Sequence, residues 1–188
     1  YNTKKFCFTI NGYIFKSINK RIVRFGIYCH TKDYIIKKTI NETWQMKKLS
    51  SNKVKSHKKP LSILNIGAGA VGGFYSGKLA QQGQDVSVVC RSEYNFIKKN
   101  GFAIKSNLGG FDFKPKKVYE NTTEIEEDYD LILITTKVLP EINTLELIKP
   151  LINPNTVIML LQNGIDIERE IKEAYPNNEL ISGLAFVC

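Results

Sequence analysis

The stretch Leu61–Arg91, LSILNIGAGAVGGFYSGKLAQQGQDVSVVCR, constrains this chain more than any other. Leu61, Ile63, Leu64 and Ile66 form a short apolar run of the kind that a strand buried on both faces carries. Gly67-Ala68-Gly69-Ala70-Val71-Gly72 follows at once and fits G-x-G-x-x-G. Each glycine answers a separate demand. Gly67 permits a tight turn, Gly69 lets a pyrophosphate approach the backbone, and Gly72 lets a helix pack closely on the strand. The helix that opens here aims its free N–H groups and its positive dipole end at the phosphates. It is expected to run to about Gln82, with Gly83 as its C-terminal stop. Asp85–Cys90 reads as the second strand. A glycine turn alone is a weak signal, and its plain alternative is a βα turn without a ligand. Here a strand precedes it and a helix and a second strand follow, so the dinucleotide reading is preferred.

Charge divides the chain near Pro60. Residues 1–60 hold 15 Lys/Arg against 2 acidic residues, whereas residues 61–188 hold 12 against 16. The net charge of +9 therefore belongs to the front segment, and the expected folded part, 61–188, is mildly acidic. Residues 1–45 mix aromatics, Ile and Lys without a sustained period; Phe6–Ile14 and Ile22–Tyr28 are candidates for short strands. The chain opens on Tyr1, and Met46 is its first methionine, so a natural start at Met46 is expected, with residues 1–45 outside the functional protein. Lys47–Pro60 reads as a Lys/Ser-rich disordered linker, and 1–60 as a basic, disordered or non-native extension. A basic segment bearing aromatics could bind nucleic acid. A solvated arm is the preferred reading, and no nucleic-acid partner is expected.

Cys7, Cys29, Cys90 and Cys188 show no C-x-x-C spacing, and His30 and His57 have no partner suggesting a ligand set. No metal or disulfide framework is expected. With no apolar run of membrane-spanning length and no secretory signal pattern, a cytoplasmic protein without a membrane partner is expected.

After Arg91, Tyr94–Asn100 suits a short helix ending at Gly101. Phe102–Lys105 and Phe111–Phe113 read as a hairpin around Asn107-Leu108-Gly109-Gly110, and Lys116–Tyr119 as a brief strand. Thr122–Asp128 is an acidic connector with room for one helical turn. Asp130–Thr136 is a β-branched strand ending in Lys137, and Pro140–Leu147 is the next helix, interrupted at Pro150. Thr156–Leu161 is a strand ending in Gln162-Asn163-Gly164, Ile165–Ala174 a helix, and Leu180–Val187 a final strand. Such alternation implies an α/β, doubly wound parallel sheet of Rossmann type, with ligands outside the carboxyl ends of the strands. Those ends carry Gly67–Gly72, Arg91, Lys137 and Gln162-Asn163. Singly, Lys137 could be solvated and Asn163-Gly164 a plain turn; their arrival on one rim marks a site. Cys90-Arg91-Ser92 lacks an acid at the strand tip, where NAD-binding sites place one. Arg91 suits the 2′-phosphate of NADP, although Glu93 lies close behind.

These pieces in order resemble the ketopantoate reductase (2-dehydropantoate 2-reductase) family. The resemblance rests on GAGAVGG-x-x-x-G-x-L-x-x-x-G at Gly67–Gly83, Arg91, Thr136-Lys137, Leu161–Gly164 and Ser182-Gly183. It covers about Leu61–Cys188. It implies an oxidoreductase that reduces ketopantoate, a small 2-keto acid, to pantoate with NADPH on the pantothenate route. It places the pyrophosphate on Gly67, Ala68, Gly69, Ala70, Val71 and Gly72, and the 2′-phosphate on Arg91. It puts Lys137 near the adenine-side ribose or the phosphates, and Asn163 near the nicotinamide ribose and the substrate. The family's helical second domain supplies the catalytic Lys, an acidic substrate-binding residue and the expected homodimer contact. No catalytic residue is therefore assigned in this chain, which reads as the cofactor-binding half and is expected to turn over little substrate alone. The alternative is a non-catalytic NADP(H)-binding module or a gene remnant.

Overall fold

The computed structural model describes residues 7–10, 13–16, 23–29, 59–106, 109–164 and 166–187. The expected linker through residue 58, Met46, His30, His57 and the hairpin tip Asn107-Leu108 lie outside the described residues. In the front segment Cys7–Ile10 (β1) and Tyr13–Lys16 (β2) pair antiparallel, and Val23–Cys29 (β3) follows. The first unit after the linker is Ser62–Ile66 (β4), Ala70–Gln81 (α1), Asp85–Val89 (β5) and Tyr94–Asn100 (α2). Phe102–Ile104 (β6) and Phe111–Phe113 (β7) form an antiparallel hairpin, and Val118–Tyr119 (β8) returns to the sheet. After a single 3-10 turn at Thr122–Glu124 come Leu131–Ile134 (β9), Thr144–Ile148 (α3), Val157–Leu161 (β10), Glu168–Ala174 (α4) and Leu180–Val187 (β11).

The main sheet has the order β3-β11-β10-β9-β4-β5-β8, and every neighbouring pair is parallel. Read from Leu61 onward, the order runs outward from β4 in both directions, so this is the expected doubly wound, Rossmann-type fold. The strand order reverses between β4 and β9, which makes their carboxyl ends the topological switch point.

The pleat splits the core into two layers. Ile63, Leu131, Leu133, Val157, Met159 and Leu161 join Tyr75 and Leu79 of α1 and Ile97 of α2 on one face. Leu64, Ile66, Ile132, Ile134, Ile158 and Leu160 join Ile148 of α3 and Ile171 of α4 on the other. Successive residues of one strand thus serve opposite layers, which is why these strands read as continuous apolar runs. Each fully buried aliphatic side chain contributes about 1.5–3 kcal/mol against exposure.

α1 is pressed from both sides, and its glycines record the pressure. A Cβ on Gly72 would stand 2.1 Å from the carbonyl oxygen of Gly67, on the sheet side. A Cβ on Gly73 would stand 3.0 Å from the Phe102 ring, and one on Gly77 2.4 Å from the Phe111 ring, on the hairpin side. The Lys78 ammonium lies 4.5 Å from the Phe111 ring centroid and fastens the hairpin to the helix by a cation–π contact. The adjacent glycines Gly72 and Gly73 therefore serve two different neighbours.

Two helices are shorter than the sequence suggests. The helix expected from Pro140 begins at Thr144, because Asn143 Oδ1 accepts the Glu146 N–H at 3.2 Å and so caps the helix there. The helix expected from Ile165 begins at Glu168. Asp166 has φ 61°, in the left-handed region, so no right-handed helix passes through it.

Candidate functional site

The glycine turn starts where β4 is gripped by both neighbours. Gly67 N–H donates to Val89 O on β5 at 3.0 Å, and Thr135 N–H, just past β9, donates to Ile66 O at 2.9 Å. Gly67 then takes φ +113°, which a side chain would strain, and the chain turns into α1. Gly69 is the N-cap of α1, with extended backbone and no side chain to satisfy the first-turn N–H groups. The first turn holds no acidic residue. A Cβ on Gly69 would meet nothing within 4 Å. The lip of the turn is open, lined by peptide N–H groups and left without a negative charge, which fits a diphosphate by both shape and charge.

The other expected residues lie around the same rim. Ile66 is in register with Val89 and Ile134, and Ile134 with Leu160, so the ends of β5, β4, β9 and β10 are level. Arg91 is exposed two residues past β5, Lys137 is exposed three past β9, and Asn163 is exposed two past β10. Ala68 and Val71 are half-buried, and Ala70 is exposed at the start of α1. Beneath Arg91, burial raises the Cys90 thiol pKa, and the Glu93 and Glu120 carboxylates raise it further. That thiol is a structural group rather than a nucleophile at neutral pH.

Two polar contacts were not foreseen from the sequence. Asn65 is 0% exposed inside a strand otherwise read as apolar. Its Nδ2 donates to Gly67 O at 2.6 Å, and its Oδ1 lies 3.0 Å from the Thr135 hydroxyl. That hydroxyl also lies 3.0 Å from Gly67 O. On the next strand the buried Gln162 donates through Nε2 to Thr136 O at 2.7 Å and to Thr136 Oγ1 at 3.1 Å. The ends of β4, β9 and β10 are thus stitched together by side chains of residues that immediately precede Lys137 and Asn163 in sequence. The available signal was Asn65 itself, a lone amide in the run SILNI: a buried amide is costly unless its hydrogen bonds are met.

The model of the family described as Ketopantoate reductase PanE/ApbA matches residues 63–188. The chain belongs to the ketopantoate reductase family. Among curated members, the 2-dehydropantoate 2-reductase of Nostoc sp. is 29% identical over 123 residues, covering 65% of this chain and 38% of that protein. Among solved structures, 2-dehydropantoate 2-reductase from Methylococcus capsulatus is 44% identical, with a TM-score of 0.64 over 68% of this chain and 42% of the other. A D-mandelate dehydrogenase solved as a ternary structure with NADH and anilino(oxo)acetate is 29% identical, with a TM-score of 0.56 over 64% and 40% of the two chains. The chain therefore spans about two fifths of the length of these relatives. Within the ketopantoate reductase match fall the glycine turn, the Asn65–Thr135 contact, Arg91, Lys137 and Asn163. Among the described residues no group of acidic, His and Cys side chains could hold a metal, and no helix is long and apolar enough to cross a membrane.

Proposed function

We propose that residues 61–188 bind NADPH for the reduction of a small 2-keto acid, with ketopantoate to pantoate as the reaction. The observation that carries this reading is the level rim, where the open lip at Gly69, Arg91, Lys137 and Asn163 all follow the carboxyl ends of parallel strands within the length matched by the family. In this reading the N–H groups of the turn Gly67-Ala68-Gly69 and of Ala70, Val71 and Gly72 hold the pyrophosphate. Arg91 binds the 2′-phosphate through its planar guanidinium. Lys137 faces the adenine-side ribose or the phosphates, and Asn163 orients the nicotinamide ribose and the keto acid. When bound, the dinucleotide supplies a hydride to the carbonyl carbon of the substrate. This chain's residues bind and orient; the proton donor and the partner of the substrate carboxylate are assigned to the length of the relatives that the match does not span. So is any homodimer contact. The 188-residue chain alone is then expected to bind cofactor with little turnover, in a cytoplasmic setting.

The choice between NADPH and NADH rests on Arg91, since a relative of the same fold is described with NADH. Titrating both cofactors by fluorescence against the unmodified chain and Arg91→Ala tests it. Arg91→Ala should weaken NADPH by about 1.5–3 kcal/mol and leave NADH nearly unchanged. Equal losses would mean that another residue reads the 2′-phosphate. Failure of the unmodified chain to bind either dinucleotide would sink the reading.

A further inference from the structure

Asn65 and Thr135 meet at the switch point of the sheet, on the side of β4 that faces α1. The carbonyl oxygen of Gly67 can only accept a hydrogen bond, so the nitrogen of the Asn65 amide faces it, at 2.6 Å. That leaves Asn65 Oδ1 to take the hydroxyl of Thr135, 3.0 Å away, while the same hydroxyl reaches Gly67 O at 3.0 Å. Gly72 has no Cβ where these groups converge: one built there would lie 2.1 Å from Gly67 O, 2.5 Å from Thr135 Oγ1 and 2.8 Å from Asn65 Nδ2. Ile66 O also lies 3.2 Å from that hydroxyl, whose single hydrogen serves one acceptor at a time, so the Asn65 amide holds the Gly67 carbonyl inward and Thr135, just past β9, orients that amide. None of the peptide bonds described is cis. In a planar trans peptide the N–H points opposite to the C=O. With Gly67 O fixed inward, the N–H of Ala68 is fixed in the opposite direction, away from the clasp. Gly67 sits at φ +113°, and a glycine that loses such a hold can rotate its peptide plane at small steric cost.

We propose that Asn65 and Thr135 are positioning residues that hold the Gly67–Ala68 peptide plane so that the Ala68 N–H is presented to the pyrophosphate of the cofactor. Neither side chain is placed on the cofactor; Asn65 acts through the backbone of Gly67, and Thr135 acts through Asn65. The proposal rests on the dinucleotide reading of this rim. It also explains the polar residue buried in a core strand: an apolar residue there would pack as well but could not orient the carbonyl.

The test compares two ligands on the full chain. NADPH carries the pyrophosphate, and adenosine 2′-monophosphate engages the Arg91 side without a 5′-phosphate. Thr135→Val and Asn65→Leu should each weaken NADPH about tenfold, the size of one good hydrogen bond. Adenosine 2′-monophosphate should bind as before, and Thr135→Ser, which keeps the hydroxyl, should restore NADPH. Folded variants with unchanged NADPH affinity, or parallel losses of both ligands, would overturn the clasp while leaving the cofactor reading in place. An unmodified chain that binds neither ligand would overturn both. Should the two variants fail to fold, the Ala68 amide resonance of the unmodified chain decides. NADPH must shift it and adenosine 2′-monophosphate must not; an amide that ignores NADPH overturns the proposal.

Discussion

The two halves of the rim are built from different materials. At β4 and α1 the rim is backbone: Gly67 turns, Gly69 opens the lip, and Gly72 lets the helix descend onto the turn. At β9 and β10 it is side chains: the Thr135 hydroxyl reaches to Asn65, and the Gln162 amide reaches to Thr136. A backbone rim tolerates almost no added atom at its floor and any atom at its lip. A side-chain rim tolerates changes of shape but not the loss of a donor. The difference sets where a mutation should strike stability and where it should strike binding.

Gly72 and Gly69 offer the sharpest contrast, three residues apart. Gly72→Ala drives a Cβ to 2.1 Å from a backbone oxygen that the Asn65 amide holds in place, so the helix must move off the strand. The expected loss is at least about 3 kcal/mol of stability, at the upper end for forced overpacking. Gly69→Ala meets nothing within 4 Å and keeps an ordinary backbone conformation, so its stability should stay within about 0.5 kcal/mol of the unmodified chain. Its NADPH affinity should nevertheless fall, because the added methyl fills the approach of the pyrophosphate. Urea unfolding with parallel NADPH titration checks both. A Gly72→Ala chain as stable as the original would show that the floor of the turn yields more easily than its contacts indicate.

The side-chain half is probed by Gln162→Leu. The change keeps the buried volume near constant but leaves Thr136 O without the 2.7 Å donor. A buried carbonyl stripped of its partner costs about 1–3 kcal/mol, and Thr136 is only half-buried, so a loss of about 1 kcal/mol is expected. Gln162→Glu, which preserves shape and reach but offers an acceptor, should do no better. If Gln162→Glu is as stable as the original chain, the contact to Thr136 carries no weight.

The same division governs what could be read from residues alone. The parallel sheet, its strands and the glycine turn were legible, since apolar runs such as Leu131–Ile134 recur between helical stretches and Gly67, Gly69 and Gly72 stand between a strand and a helix. The final strand Leu180–Val187 and the helix Tyr94–Asn100 have the expected bounds. The start of α3 was not legible, because Pro140 offers an obvious first-turn residue and only the bond from Glu146 N–H shows that Asn143 caps instead. The start of α4 was hidden by Asp166, whose left-handed backbone no local pattern announced. The clasp was hidden by distance, as Asn65 lies in β4 and Thr135 just past β9, and they become partners only once these strands are neighbours. Backbone sites leave glycine signatures at fixed spacing, whereas side-chain sites are assembled by topology.

A third part of the rim, past β5, combines both materials and should show the smallest effect. Cys90, just past β5, is buried, while Arg91, Glu93 and Glu120 are exposed. Both carboxylates act on the thiol of Cys90, the residue before Arg91, and Glu93 follows Arg91 by two positions. A cofactor that brings a 2′-phosphate to this corner meets one guanidinium and two carboxylates, so part of the attraction is cancelled. Glu93→Gln removes one of the opposing charges and keeps the side-chain shape. Across water a single charge about 8 Å away is worth about 0.5 kcal/mol, so NADPH should tighten by about twofold while NADH shifts less. The gain should shrink as salt is raised, because exposed charges are screened over about 8 Å at physiological ionic strength. Titrations of both cofactors at low and high salt measure this directly. A gain shared equally by NADH would place the effect on the pyrophosphate and assign Glu93 to the backbone half of the rim. No gain at low salt would show that Arg91 meets the 2′-phosphate beyond the reach of these carboxylates.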